Sequence, residues 1–335
     1  MTNDPPDAFI PSARLGVVAI GRNEGERMTR CLRSIGTCAA AVVYVDSGST
    51  DGSVEAARAF GARVIVLDTA LPFTAARARN EGWRALRAAA PDVEWIQFVD
   101  GDCEMAAGWL ATGGAFLANH PDVAAVCGRR RERFPERSIY NRLCDMEWDL
   151  PAGSARAFGG DVMVRLVALE RCEGFRDALI AGEEPELGVR LRASGWTLWR
   201  LGDDMTVHDA AMTRFGQWWR RSQRAGFAFA EGAAIHGAPP ERHWVREARS
   251  ARVWAGVIPL CVLAGMAAVG PWFAIALLVY PAQVLRLAMR TDVPLAGRLA
   301  RAFFLVLGKF PELQGQLRFF RQRWSGAGAR LIEYK

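Results

Sequence analysis

Trp95-Ile96-Gln97-Phe98-Val99-Asp100-Gly101-Asp102 reads as a buried strand that ends in two carboxylates around a glycine. A short apolar run closed by turn residues suits a strand covered on both faces, as in a parallel sheet. Two carboxylates this close repel unless a cation or protons compensate. Hard oxygen ligands suit Mg²⁺ or Mn²⁺, and such an ion would in turn hold a diphosphate. An ordinary acidic turn is the other reading, and these eight residues do not separate the two.

The same pattern recurs towards the N-terminus. Leu15 to Ile20 is an apolar run followed by Gly21-Arg22-Asn23-Glu24-Gly25 and a helical segment to about Ile35. Ala41 to Val45 is a second strand, ending in Asp46-Ser47-Gly48-Ser49-Thr50-Asp51-Gly52, and a helix runs on through Phe60. Arg63 to Leu67 is a third strand, and Thr74 can cap a helix that continues through Ala89. Strands alternating with helices at this spacing predict an α/β fold with a mainly parallel sheet flanked by helices. Ligands collect at the carboxyl ends of such strands. Three of those ends carry an acidic or glycine-rich loop. Asp46 stands where a carboxylate could accept hydrogen bonds from a nucleobase or ribose, although a tight turn with Asp51 as a helix cap accounts equally well for its loop.

At 335 residues the chain has room for one large α/β domain and an appendage. The net charge of +6 could suit nucleic acid, a membrane or phosphorylated substrates. The basic residues are scattered, and no nucleic-acid-binding motif accompanies them, so no nucleic-acid partner is expected. Seven cysteines without a CxxC pair read as reduced thiols. Residues 1–13 form a proline-rich lead-in, neither signal peptide nor membrane span.

Four pieces together resemble family 2 glycosyltransferases of the GT-A fold. They are Val17-Val18-Ala19-Ile20-Gly21-Arg22-Asn23-Glu24-Gly25, Val45-Asp46-Ser47-Gly48-Ser49-Thr50-Asp51-Gly52, Ala78-Arg79-Asn80-Glu81-Gly82 and Phe98-Val99-Asp100-Gly101-Asp102. The resemblance extends over roughly Leu15 to Ala230. It implies that Asn23, Glu24 and Asp46 contact the donor nucleotide and that Arg79 belongs to the same pocket. Asp100 would lie near the ribose or the metal, and Asp102 would be the more direct metal ligand.

The second half of the chain supplies acceptor-side candidates. Phe158-Gly159-Gly160-Asp161 looks like the family's glycine-rich segment under the donor sugar, with Gly160 in contact; a simple turn is the alternative. Ala181-Gly182-Glu183-Glu184-Pro185-Glu186-Leu187 leads into a helix from Val189 to Ala193, and acids at a helix start can serve its dipole alone. The family usually has Glu-Asp at this place, and its second acid deprotonates the acceptor hydroxyl. The second position here is Glu184, one methylene longer, which the resemblance makes the catalytic base. His208, after a strand from Trp196 to Leu201, falls where related enzymes place a metal- or diphosphate-contacting histidine. Gln217-Trp218-Trp219-Arg220-Arg221, on a helix from Thr213 to Gly232, partly matches the QxxRW motif of processive members and offers Arg220 as a diphosphate contact.

Beyond about Arg252 the composition changes. Residues 253–285 hold no charge, and Gly270-Pro271 divides them into Val253–Val269 and Trp272–Leu285. Arg246, Arg249 and Arg252 precede the stretch and Arg286 and Arg290 follow it, so the positive-inside rule puts both ends in the cytoplasm. A membrane hairpin, a shallower re-entrant pair and a buried hairpin in a soluble domain all fit the composition. Further on, apolar Leu299 to Phe310 precedes Arg318-Phe319-Phe320-Arg321-Gln322-Arg323-Trp324, which suits an interfacial helix against anionic lipid.

The expectation is a GT-A domain over 14–245 and a C-terminal helical, membrane-associated region over 246–335, of the bacterial type. The enzyme would be inverting and dependent on Mg²⁺ or Mn²⁺. It would move a sugar from a nucleotide-diphosphate donor to a hydroxyl acceptor, lipid-linked or in envelope glycan, at the cytoplasmic face of the cell membrane. A nucleotidyltransferase would need a basic glycine-rich loop that residues 21–25 supply poorly. A non-catalytic scaffold should have lost one of Asp46, Asp100, Asp102 or Glu184. A Rossmann dehydrogenase is disfavoured because no GxGxxG follows the first strand.

Overall fold

The computed structural model describes residues 12–71, 73–290 and 295–325. The expected lead-in lies, up to residue 11, outside the described residues. The chain divides into two compact units. The first holds the described residues up to Arg137 together with Cys144–Ala211, and the second holds Ser138–Leu143 and the described residues from Met212 on.

The first unit begins β1 (Leu15–Gly21), α1 (Glu26–Ile35), β2 (Ala41–Asp46), α2 (Ser53–Phe60), β3 (Arg63–Val66), α3 (Ala75–Ala89) and β4 (Trp95–Asp100). It continues with β5 (Cys103–Met105), α4 (Trp109–Asn119), β6 (Val123–Glu132) and α5 (Ile139–Trp148), a helix that starts in the second unit. The remainder is β7 (Gly153–Ser154), β8 (Val162–Arg165), α6 (Leu166–Arg171), α7 (Glu183–Ala193) and β9 (Thr197–His208). One sheet runs in the order β3-β2-β1-β4-β8-β6-β9-β5, with β7 also on β9. The pairs β1–β2, β1–β4, β2–β3 and β6–β9 are parallel, while β8, β5 and β7 run against their neighbours. The sheet is therefore mixed and mainly parallel.

The strand at the centre of the sequence argument is buried from Trp95 to Val99. Its one amide side chain is satisfied: Gln97 Oε1 accepts from Trp109 Nε1 at 2.8 Å and its Nε2 donates to the Phe98 carbonyl. A buried amide is tolerable only on those terms. Thr74 caps α3 as its sequence position suggested, its hydroxyl accepting the Arg77 N–H at 3.0 Å.

Three differences from the sequence expectation bear on the site. The strand expected to stop at Leu201 runs on to His208, because shifts of register between Cys127 and Arg130 carry the β6–β9 pairing through to Glu132 opposite His208. The chain does not open into a loop after Asp102. It turns at once into β5, which pairs Cys103 with His208. Finally, α7 starts at Glu183 rather than near Val189, so the acids form its first turn.

The second unit is helical. It comprises α8 (Phe215–His236), α9 (Val245–Arg252), a π-helical stretch (Val253–Val257), α10 (Ile258–Val269), a 3₁₀ stretch (Pro271–Leu278), α11 (Val279–Ala288), α12 (Leu295–Leu307) and α13 (Lys309–Ser325). Phe227 of α8 meets Phe319 of α13 edge to face at 5.4 Å, and Gln316 of α13 donates to the Ala248 carbonyl of α9. Two of its helices, Val245–Val269 and Pro271–Ala288, are long and apolar enough to cross a membrane. Only 11% and 6% of their most apolar stretches is buried in the protein, which does not match the hairpin buried in a soluble core. All seven cysteines are free.

Candidate active site

Parallel register aligns Gly21 with Asp46 and Ile20 with Asp100, so three strand ends open onto one crevice. The strand order reverses between β1 and β4, which is where open α/β sheets bind ligands. The loops at the first two ends are stitched together. Asn23, in a left-handed conformation (φ 54°), accepts the Thr50 N–H at 2.8 Å, and its own N–H donates to the Ser49 hydroxyl at 2.9 Å. Asp46 is buried and organises its own loop. Its Oδ2 accepts the N–H groups of Gly48 and Ser49 at 2.9 and 2.7 Å, and Oδ1 accepts from the Tyr44 hydroxyl at 2.8 Å. A carboxylate has about four acceptor positions, so one remains for a ligand. Glu24 pairs with Arg27 at 2.8 Å, and its stem lies beside Gly101.

At the end of β4 the charges concentrate around Arg79, a fully buried guanidinium on α3. It reaches Glu183 at 2.8 Å, Asp100 at 2.9 Å and Glu184 at 3.2 Å. Burying a charge costs several kcal/mol unless it is paired and hydrogen-bonded, and three carboxylates supply the pairing. Burial opposes the charge on Arg79, but Glu184, Asp100 and Glu183 outweigh it and raise its pKa. A second arginine, Arg130 on β6, lies 2.8 Å from Asp161 and 3.3 Å from Asp100. Asp161 in turn accepts the Asp100 N–H at 3.0 Å and the Thr206 hydroxyl at 2.7 Å. Asp100 is thus held by two arginines and keeps a partly open face. Gly160 closes the packing: a Cβ there would lie 2.5 Å from Asp100 Oδ2 and 2.6 Å from Arg79 Nη2.

The two adjacent glutamates differ. The Glu183 side chain is 3% exposed and committed to Arg79, whereas that of Glu184 is 14% exposed. Burial and the neighbouring Glu183 push the Glu184 carboxyl up to about 7, against the pull of Arg79. A carboxylate poised near neutrality can take a proton.

Asp102 and His208 form a separate pair. Oδ2 of Asp102 lies 3.2 Å from Nε2 of His208, and Cys103 joins them in a buried group that could hold a metal ion. Adjacent ligands of an octahedral ion bound at about 2.1 Å stand roughly 3 Å apart, so the carboxylate and imidazole could close on one ion with little movement. The other ring nitrogen, Nδ1, has no hydrogen-bond partner and lies 3.6 Å from the Glu132 carboxylate, the kind of group that orients a ligating imidazole. Burial lowers the His208 pKa, which favours the neutral form a metal needs. The donor set therefore fits a divalent cation.

Of the residues singled out in the sequence, Arg79, Asp100, Gly160 and Glu184 meet in one cluster, and Asp102 meets His208 beside it. Asn23, Glu24 and Asp46 line the neighbouring strand ends. Arg220 lies on α8 in the other unit, one turn after Gln217, whose Oε1 accepts the N–H groups of Thr213 and Arg214. Four site residues escaped the sequence reading: Arg130, Asp161, Glu132 and Thr206. Alternation along a strand sends the middle residue of Arg129-Arg130-Arg131 to the opposite face from its neighbours. That signal was available only once the run was recognised as a strand.

The family model "Glycosyl transferase family 2" matches residues 17–161. No curated protein matches the sequence. Among solved structures, a mannosyltransferase from Pyrobaculum calidifontis, in complex with GDP-Man and Mn²⁺, is similar at 23% identity and a TM-score of 0.60, covering 91% of this chain and 87% of that one. Glucosyl-3-phosphoglycerate synthase from Mycobacterium tuberculosis, in complex with phosphoglyceric acid, is similar at 19% identity and a TM-score of 0.51, covering 69% of this chain and 84% of that one. At these identities the likeness speaks for the fold. Residues 17–161, which carry Asp46, Arg79, Asp100 and Asp102, match the glycosyl transferase family 2 model, and the chain has the GT-A fold.

Proposed function

We propose that the protein is an inverting, metal-dependent glycosyltransferase that takes a sugar from a nucleotide-diphosphate donor and passes it to a hydroxyl acceptor. The observation that carries this reading is the contact of a partly exposed carboxylate with a raised pKa, Glu184, with the Arg79–Asp100 ion pair. Asp46, Asn23 and Glu24 would receive the nucleoside. Asp102 and His208 would hold Mg²⁺ or Mn²⁺, which supplies charge neutralisation to the departing diphosphate.

Glu184 would take the proton of the acceptor hydroxyl as its oxygen attacks the anomeric carbon. The bond from that carbon to the phosphate oxygen breaks, and the nucleoside diphosphate leaves with the electron pair. Attack opposite the leaving group inverts the anomeric centre. Arg79 pairs with Glu183 and Asp100 and so fixes the first turn of α7, which carries the base on a rigid element. The charge-free stretch from residue 253 to residue 285, flanked by Arg252 and Arg286, supports attachment at the cytoplasmic face of a membrane, and hence a lipid-linked or envelope-glycan acceptor.

The test of the mechanism is the anomeric configuration of the product, followed by NMR from a donor of known configuration. Inversion is expected; retention would rule out direct displacement assisted by Glu184.

A further inference from the structure

The two arms of the apolar hairpin differ in residue count yet match in length. Val253–Val269 is π- and α-helical, and 17 residues at about 1.5 Å each rise about 26 Å. The return arm begins with the 3₁₀ stretch Pro271–Leu278, about 16 Å at roughly 2.0 Å per residue, and Val279–Leu285 adds about 10 Å of α-helix. The tighter winding lets 15 residues reach as far as 17. Contacts fix the arms in register. The Tyr280 hydroxyl donates to the Trp254 carbonyl at 2.6 Å near the open end, and Gly265 packs on the Phe273 ring near the tip, where any Cβ would collide.

Charge marks one end only. Arg252 and Arg286 are the residues immediately outside the two arms, and Gly270-Pro271-Trp272 at the tip carries none. Leu260, Leu263, Ile275 and Leu278 stand 61–67% exposed along the arms, and Trp272 is 63% exposed at the tip. A hairpin lying flat in the interface would need a polar face, and this one has no charged residue from 253 to 285. Its backbone is helical along both arms, as hydrocarbon requires. A length of about 26 Å falls a few ångströms short of a ~30 Å hydrocarbon core, a mismatch relieved by local thinning. Tryptophan favours the headgroup boundary.

We infer that the hairpin stands upright in the bilayer, rooted at Arg252 and Arg286 on the cytoplasmic side, and carries Trp272 to the far headgroup layer without moving any charge across. The inference rests on the membrane attachment in the proposed function and adds depth and orientation to it. Its occupant is the bilayer; a second copy of the chain is the competing cover for the same surface.

The full chain is reconstituted into sealed phosphatidylcholine–phosphatidylglycerol vesicles with the first unit outside. Cys38 and Cys261 are the exposed thiols among the described residues. A fluorophore is placed on Cys261 in the Cys38→Ser variant, or on position 272 in Cys38→Ser/Cys261→Ser/Trp272→Cys. Cys261 lies about 12 Å along its arm. Its label should be quenched best by lipids brominated near the chain ends, while the label at 272 loses its emission to a polar quencher trapped inside the vesicles. Quenching at 272 from outside, or best quenching of that label at the bilayer centre, overturns the inference while leaving attachment intact. Failure to float with vesicles after carbonate treatment removes attachment as well, and a stable soluble oligomer in that case assigns the surface to a second copy.

Discussion

Arg79 and Glu184 lie 3.2 Å apart, and the same guanidinium binds Glu183 on one side and Asp100 on the other. One buried cation thus restrains three carboxylates, and of the two adjacent glutamates Glu184 is the more exposed. The base of the proposed reaction and the fixed part of the proposed donor crevice share a single anchor.

That arrangement sets a pH dependence. Burial first, and then the charge of Glu183, push the Glu184 carboxyl up to about 7, against Arg79. A base works only when deprotonated, so kcat should fall as the pH drops through about 7 and level off above it. In Glu183→Gln the repulsion disappears and Arg79 turns more fully to Glu184, so the limb should move to lower pH. A pH–rate profile of both proteins measures the shift.

The two glutamates should separate in kinetics and stability. Glu184→Gln is expected to lower kcat on the order of 10²- to 10⁴-fold, the usual worth of a positioned base, with donor KM and melting temperature little changed. Glu183→Gln removes one partner of a buried charge and should chiefly lower the melting temperature. Steady-state kinetics alongside thermal unfolding tell them apart, and the reverse pattern would exchange their roles.

Gly160 tests the packing of the crevice without altering its charges. A methyl there meets Asp100 and Arg79 at 2.5 and 2.6 Å, distances real Cβ atoms do not tolerate. Gly160→Ala should therefore displace the Arg79–Asp100 pair, raise donor KM and lower kcat while the protein stays folded. Donor-saturation kinetics and circular dichroism check it.

Arg130 lies between Asp161 and Asp100 and stacks on Trp148 at 5.4 Å. Arg130→Met leaves the buried Asp161 without its cation and should destabilise the fold by about 3–5 kcal/mol. Arg130→Lys keeps a charge and should recover part of that loss. Chemical denaturation of the two variants measures the difference.

The sequence exposed most of the sheet's first half because β1, β2 and β4 are nearly continuous apolar runs, and β2 and β4 each end in an aspartate that can only be there for a reason. Asp100 and Asp102 were legible as a pair, but their division of labour was not. It follows from β5 turning back onto β9, which sets Asp102 opposite His208 while Asp100 stays with the arginines. Arg130 and Asp161 were hidden for a related reason. Their contact spans β6 and the start of β8, strands that pair with only two residues in register, and no local pattern marks such a meeting. Glu132 became visible only when β9 was seen to extend past Leu201.

Release of nucleoside diphosphate from a panel of sugar nucleotides, with Mn²⁺, with Mg²⁺ and with a chelator, tests the central claim most directly, because hydrolysis needs no acceptor. We predict release that requires the cation, is faster with Mn²⁺ because one ligand is an imidazole, and falls on the order of 10²-fold in Asp102→Ala. Release that persists under chelation and is unchanged in Asp102→Ala would contradict the account.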